Sequence, residues 1–355
     1  MRAITRPLPS QVHGATIDLT DFAGSDGYLF VRDGAGLAGR GVAARADEHE
    51  VAALLASIAH DDQVGGVHVS AIGTIAFEPN AAPRGAFIIP RVTLGTDAEG
   101  RQWVTVVGDD HESLDLPDLT PTPAPTPRAQ DFTVEPLTPV QHYLRAVDSA
   151  RDAVRNGALT KAVIAREITV RSSEPIDIHA VLRRLRATFG RSYRYSIDGF
   201  IGASPELLIA VHGNDVQSHP LAGTTPRTGD PDTDRRAADE LLASEKNQIE
   251  HRVVIDMIHD TLLPWCSYLD WEPEPSIVTV ANVQHLGTMM AGHLSDPRPH
   301  VLELVDALCP TPALGGFPRT DALELIAAHE GFERGRYGGA VGWLNAAGDG
   351  VFVVA

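Results

Sequence analysis

An α+β architecture, with helices packed on large antiparallel or mixed β-sheets, is the fold class that this sequence predicts. Three observations carry the expectation. The first third alternates short apolar runs with glycine, and the later part mixes longer helical periods with strands in no strict βαβ beat. The composition, 43% apolar and 21% charged over 355 residues, is too apolar for a disordered chain and long enough to bury a sizeable core.

Taken in order, Thr16–Leu19, Gly27–Val31 and Gly65–Glu78 read as strands, and Ala86–Leu94 with Gln102–Val107 reads as a hairpin about the turn TDAEG. One helix interrupts them at Asp47–Ala59, where Val51, Leu54, Leu55 and Ile58 recur at helical spacing behind an acidic first turn. From Glu112 to Pro139 seven prolines exclude helix and central strand and predict an extended surface connection. After it come a helix near Val140–Asn156, a strand Lys161–Val170, a helix Ile178–Phe189, and strands around Tyr193–Ile201 and Leu207–Val211. A long helix Asp234–Leu263 follows, with Pro231 ahead of it and Pro264 closing it. The expected organisation is one domain over 1–355: a variable strand-rich part (1–110), the proline-rich connection (111–139) and a motif-bearing part (140–355).

Charge and cysteine usage narrow the function. Twenty-nine basic against 47 acidic residues give a net charge of −18, which repels nucleic acid and anionic membranes. An anionic small substrate then needs a local cation or metal to reverse the field in its pocket. The two cysteines, Cys266 and Cys309, lie far apart and fit a reducing compartment, so the cytoplasm is expected. No signal-peptide core opens the chain, and no apolar run is long enough to span a bilayer. Walker, dinucleotide, HExxH and GxSxG patterns are missing, which removes the anchors of kinase, dehydrogenase, zinc-hydrolase and serine-hydrolase readings.

What remains is a set of polar residues in apolar surroundings. Lys161 opens the run KAVIARE, where partial desolvation suits a general base; the alternative is a solvated edge lysine. Glu206, in GASPELLI, is a carboxylate that apolar neighbours would turn into a proton donor, or else a turn carboxylate. In SEKNQIEHRVVIDMIHD, Glu250 shares a helical face with Asn247 and Val254, beside an apolar stripe of Ile249, Val253 and Met257. There it suits Mg²⁺, or else is a solvated helix charge or the partner of Lys246 in an ion pair. Gly223 in HPLAGTTPR offers close approach to a carboxylate or marks an ordinary turn. PTPALGGFPR is a candidate pocket wall, with His285 of VQHLGT as a hydrogen-bonding neighbour or a core histidine.

Together and in this order, LTKAVIARE, FIGASPELL, HPLAGTTPR, LLASEKNQIEH, VQHLGT, PTPALGGFP and FERGRYGGAVGW closely resemble the chorismate-utilising enzymes, the superfamily of isochorismate, salicylate, anthranilate and aminodeoxychorismate synthases. The resemblance runs from about Leu159 to the C-terminus. It implies Mg²⁺-dependent attack on chorismate, with Lys161 as the base that activates water for C2, Glu206 as the acid that protonates the departing C4 hydroxyl, and Glu250 as a Mg²⁺ ligand. It also places Gly223, Thr224, His285, Ala313, Leu314 and Tyr337 at pocket and substrate positions. Within the superfamily Lys161 favours water over ammonia, Ala222 departs from the lysine of aminodeoxychorismate synthases, and the PTPALGGFP loop resembles the isochorismate synthase version. The expected activity is therefore that of an isochorismate synthase serving siderophore, salicylate or menaquinone formation; the alternatives are a salicylate synthase or a catalytically impaired chorismate binder. Chorismate is the expected partner, the state a monomer, and neither nucleic acid nor membrane is expected. The chain departs from the family by stopping at Ala355, before a segment expected to bring an arginine-bearing strand, a carboxylate-binding glycine segment and a second Mg²⁺ glutamate, so a second polypeptide supplying a tail is a further expectation.

Overall fold

The computed structural model describes residues 1–8, 16–126 and 130–355, so part of the proline-rich connection lies outside the described residues. Eight helices are present among them: α1 (Leu19–Ala23), α2 (Val51–Ser57), α3 (Val140–Arg155), α4 (Ile178–Thr188), α5 (Pro231–Ala243), α6 (Glu245–Leu262), α7 (Val301–Leu308) and α8 (Arg319–His329). Most of them pack on a 15-stranded sheet, while α3, α5 and α8 lie mainly against strands of smaller sheets, and the chain has the α+β class expected of it.

The middle of that sheet runs Ala35–Ala46, Gly85–Thr96, Ser70–Ile75, Ala340–Asn345, Gly350–Val354, Leu207–His212 and Asp215–His219, each antiparallel to the next. Strands from both ends of the sequence thus interleave. Alternation along each strand divides the core into two faces. Ala340, Leu344 and Phe352 join the cluster under α6 and α7, while Val341, Val351 and Val353 join Ile72, Ile88 and Tyr195 on the other face. A third cluster seats α1 and α4 with Leu29, Val31 and Leu94.

Several expectations change. Thr16–Leu19 is not a strand: Asp18 is extended and its carboxylate accepts from the Thr20 and Asp21 amides, capping α1. The strands Arg2–Leu8 and Ala35–Ala46, not anticipated, are 7 and 12 residues long. Lys161–Val170 divides into Lys161–Ala162, paired with Gly316–Phe317, and Ile168–Ser172, paired with Phe132–Pro136. The proline-rich connection is partly core, because Leu114 and Leu119 are buried with the third cluster. The long helix is two helices, since Ser244 is extended (φ −77°, ψ 107°) and caps α6 through its hydroxyl.

Candidate active site

Lys161 is placed by a short strand pairing. The Thr160 amide donates to Phe317 O at 2.8 Å and the Val163 amide to Gly315 O at 2.9 Å, flanking the Lys161–Ala162 strand. The approach depends on Gly316, whose φ is +151°; a Cβ there would lie 2.3 Å from Lys161 O. The lysine side chain is 12% exposed, which removes the solvated-edge alternative, and its Nζ lies 2.9 Å from Glu250 Oε1.

Glu250 stands on α6, but the apolar stripe expected beside it is not the buried face of the helix. The buried residues of α6 are His251, Val254, Ile255, Ile258 and Leu262, and Ile249 is 57% exposed. Ile249 and Val253 of that stripe face a cavity shared with Glu250 and Lys161 rather than the core. Glu250, partly exposed, pairs with Lys161 rather than with Lys246. Behind it, His251 Nε2 lies 2.8 Å from Thr288 Oγ1, and burial first, then Lys161 and Arg252, push its imidazole down to about 4, so it is neutral at pH 7.

Glu206 lies between the strands Phe200–Ser204 and Leu207–His212, with its amide donating to Ser204 Oγ at 3.3 Å and its carbonyl accepting from the Val354 amide. The residue is 8% exposed and its Oε1 is buried without a hydrogen-bond partner. Burial pushes its carboxyl up to about 8, against the opposing pull of the Leu221 amide and the Lys161 charge. A neutral carboxylic acid with an unsatisfied oxygen, close enough to feel Lys161, is chemically able to donate a proton to a ligand oxygen.

Gly223 is not in a turn. It sits at φ +72° within the strand Leu221–Pro226, where the pairing with Val283–Gly287 shifts register, and a Cβ would meet Asn247 Cβ at 3.2 Å. Glycine there lets α6 lie against the strand. Next to it Thr224 Oγ1 and His285 Nδ1 are 3.0 Å apart, and burial holds His285 below the usual histidine range while a hydrogen bond with the Gly223 backbone pulls the other way. Ala313 and Leu314 are half-buried in the loop after α7, and Tyr337 is 51% exposed in the turn after α8. The direct contacts join Lys161 to Glu250 and Thr224 to His285; Leu314 and Tyr337 are both tied to Arg334, a residue that the sequence alone does not single out.

A cavity of about 690 Å³ opens beside the Lys161–Glu250 pair, between α3, the Lys161 strand and α6. Its lining holds four basic side chains, Arg151, Arg155, Lys161 and Lys246, against one acid, Glu250. A second cavity of about 680 Å³, under Trp103, Tyr193 and Trp343, shares none of these residues. Lys161 and Lys246 are the only lysines of the chain, and both line the first cavity. Composition alone would have paired them: arginine supplies nearly all the positive charge, and lysine differs from it in being a compact cation whose proton can be removed.

Residues 48–355 match the family model for chorismate binding enzymes. The chain belongs to the chorismate-binding enzyme family. Among curated relatives, isochorismate synthase DhbC of Bacillus subtilis is 38% identical over 234 residues, covering 63% of this chain and 59% of that protein. Isochorismate synthase MenF of the same organism is 34% identical over 288 residues, covering 76% and 60%. The chain therefore matches about three fifths of the length of each. The solved structure of MenF, the menaquinone-specific isochorismate synthase from Escherichia coli, superposes with a TM-score of 0.82 at 23% identity, covering 99% of this chain and 84% of that one, and establishes the shared fold. Among the described residues no helix is long and apolar enough to cross a membrane, and no three His, Cys, Asp or Glu side chains cluster as metal ligands.

Proposed function

We propose that this chorismate-binding family member is a cytoplasmic isochorismate synthase, converting chorismate to isochorismate by adding water at C2 and expelling the C4 hydroxyl. The observation that carries the reading is Glu206: a buried carboxyl held protonated at neutral pH, with one oxygen unpartnered. Such a group gives its proton to a departing hydroxyl, which leaves as water. Lys161 takes the proton from the attacking water, so one proton enters the lysine as another leaves the glutamic acid and the net charge of the site is unchanged. An ammonium in an ion pair has no lone pair to offer. The base role therefore requires Lys161 to leave Glu250 and lose its proton before attack.

Glu250 also fits a single Mg²⁺ ligand, being one partly exposed carboxylate on a cavity wall, because Mg²⁺ takes one or two protein carboxylates and fills its shell with water and substrate. Bound there, the ion would neutralise the C1 carboxylate of the substrate. Thr224, His285 and Tyr337 would supply hydroxyl and imidazole contacts to the substrate and Gly223, Ala313 and Leu314 backbone and apolar ones, although none of the six lines the cavity beside Lys161. The names of the relatives support the same reaction.

Incubating the protein with chorismate and Mg²⁺ and resolving the products by chromatography tests the reading. Isochorismate without pyruvate is expected. Release of pyruvate would make the protein a salicylate synthase, and absence of turnover would overturn the assignment.

A further inference from the structure

One buried ion pair, outside the reacting groups, ties together the segments that carry them. Arg334 and Glu330 are 6% and 2% exposed. Arg334 Nε donates to Glu330 Oε2 at 2.8 Å, and Nη2 donates to Glu330 Oε1. The rest of the guanidinium is spent on backbone: Nη1 donates to Leu314 O at 2.8 Å and Nη2 to Val163 O at 2.7 Å. Glu330 Oε1 in turn accepts from the Ala165 amide at 2.7 Å. The Arg334 amide donates to Glu78 Oε1, its guanidinium lies 4.2 Å from the Phe77 ring centroid, and its carbonyl accepts from the Tyr337 amide at 3.0 Å.

The segment just after the Lys161 strand and the Ala313–Leu314 loop thus meet at one guanidinium, and the turn of Tyr337 is tied to the same residue through its backbone carbonyl. Stability alone is a poor account of the pair, because a buried ion pair is commonly no better than an apolar pair of the same shape. Its distinct contribution is direction: a planar fork holds two carbonyls on different segments and one carboxylate, each accepting from the same guanidinium. We propose that Arg334, held by Glu330, is a positioning residue that sets the Lys161 strand against the Ala313–Leu314 loop. Its kinetic consequence rests on the reaction proposed above; its structural consequence does not.

Arg334→Lys separates the two roles, since lysine keeps the charge beside Glu330 but cannot hold Val163 O, Leu314 O and the carboxylate together. In the full chain the variant is expected to fold with native circular dichroism. Amide exchange at Val163 and Ala165 should speed up at least tenfold, and that at Ile209 and Val341 should stay unchanged. With chorismate, kcat should fall about 10–100-fold, the scale of a small misplacement of reacting groups, while KM stays within threefold. The double variant Arg334→Met with Glu330→Leu removes both charges together and should show the same pattern, which keeps the test decisive if the lysine variant fails to fold. Native exchange at Val163 and Ala165 in the folded variants would overturn the proposal. If the unaltered protein turns over no chorismate, the exchange result still decides it.

Discussion

At the scale of single residues, the proposed chemistry rests on a neutral acid and a removable proton. Glu206→Gln keeps the shape and removes the proton, so kcat should fall about 10²–10⁴-fold, the usual contribution of a general acid, with chorismate binding retained. Lys161→Ala should lose turnover on the same scale; retained turnover in either variant removes that residue from its role. The same glutamate shapes stability. Its folded pKa of about 8 lies above the ordinary 4.5, so the folded state holds the proton more tightly. That contribution is complete below pH 4.5 and is lost as pH rises through 8. Glutamine cannot ionise, so Glu206→Gln should match the native protein near pH 5 and exceed it near pH 9 by on the order of a few kcal/mol in chemical denaturation. Equal stability at both pH values would mean that the carboxyl is not desolvated. These roles were only partly legible in the sequence. Lys161 and Glu250 each left an edge or solvated alternative open, and only folding shows that the two meet, because they lie 89 positions apart and no local pattern records the pairing.

Elements were legible where their own periodicity governed them. The helix expected at Val140–Asn156 is α3 to within a residue, and Ile178–Phe189 is α4 likewise, since each repeats apolar residues at helical spacing. Misreadings came where one residue changes direction. Ser244 stops α5 and caps α6 in the space of one residue, and nothing in LLASEKNQIEH breaks the helical period enough to announce it. Ala35–Ala46 gives no strand signal because its glycines and alanines carry little alternation, although it pairs along most of its length with Gly85–Thr96. The two-residue strand at Lys161 exists through a glycine in the facing strand. Gly316→Ala should therefore push Phe317 and Lys161 apart: thermal unfolding should shift down by several degrees, equivalent to roughly 1–3 kcal/mol. Turnover should fall more than stability does, since the lysine itself moves. An alanine variant with native stability and native kcat would show that the close approach to Lys161 O is dispensable.

At the scale of the whole molecule the acidic balance and the site oppose each other. The net charge of −18 repels a dicarboxylate at long range, yet the cavity beside Lys161 concentrates basic groups. Arg151 is neutralised by Asp148 and Asp152, and Lys161 by Glu250, while Arg155 and Lys246 have no ion-pair partner among the described residues. Two ranges of interaction follow. Remote acids act over more than ~10 Å and are screened first, as the Debye length shrinks from ~30 Å at 0.01 M salt to ~8 Å at 0.15 M. The cavity cations act at contact distance and yield only when it approaches ~3 Å, near 1 M. At saturating Mg²⁺, KM for chorismate should therefore fall severalfold from 0.01 to about 0.15 M salt and rise again toward 1 M. Replacing Arg155 and Lys246 together by glutamine should raise KM at every salt concentration and flatten the high-salt rise, since the short-range attraction is then gone. A KM that climbs steadily from the lowest salt would mean that the acidic shell has no reach into the site, and that the cations of the cavity alone set how chorismate arrives.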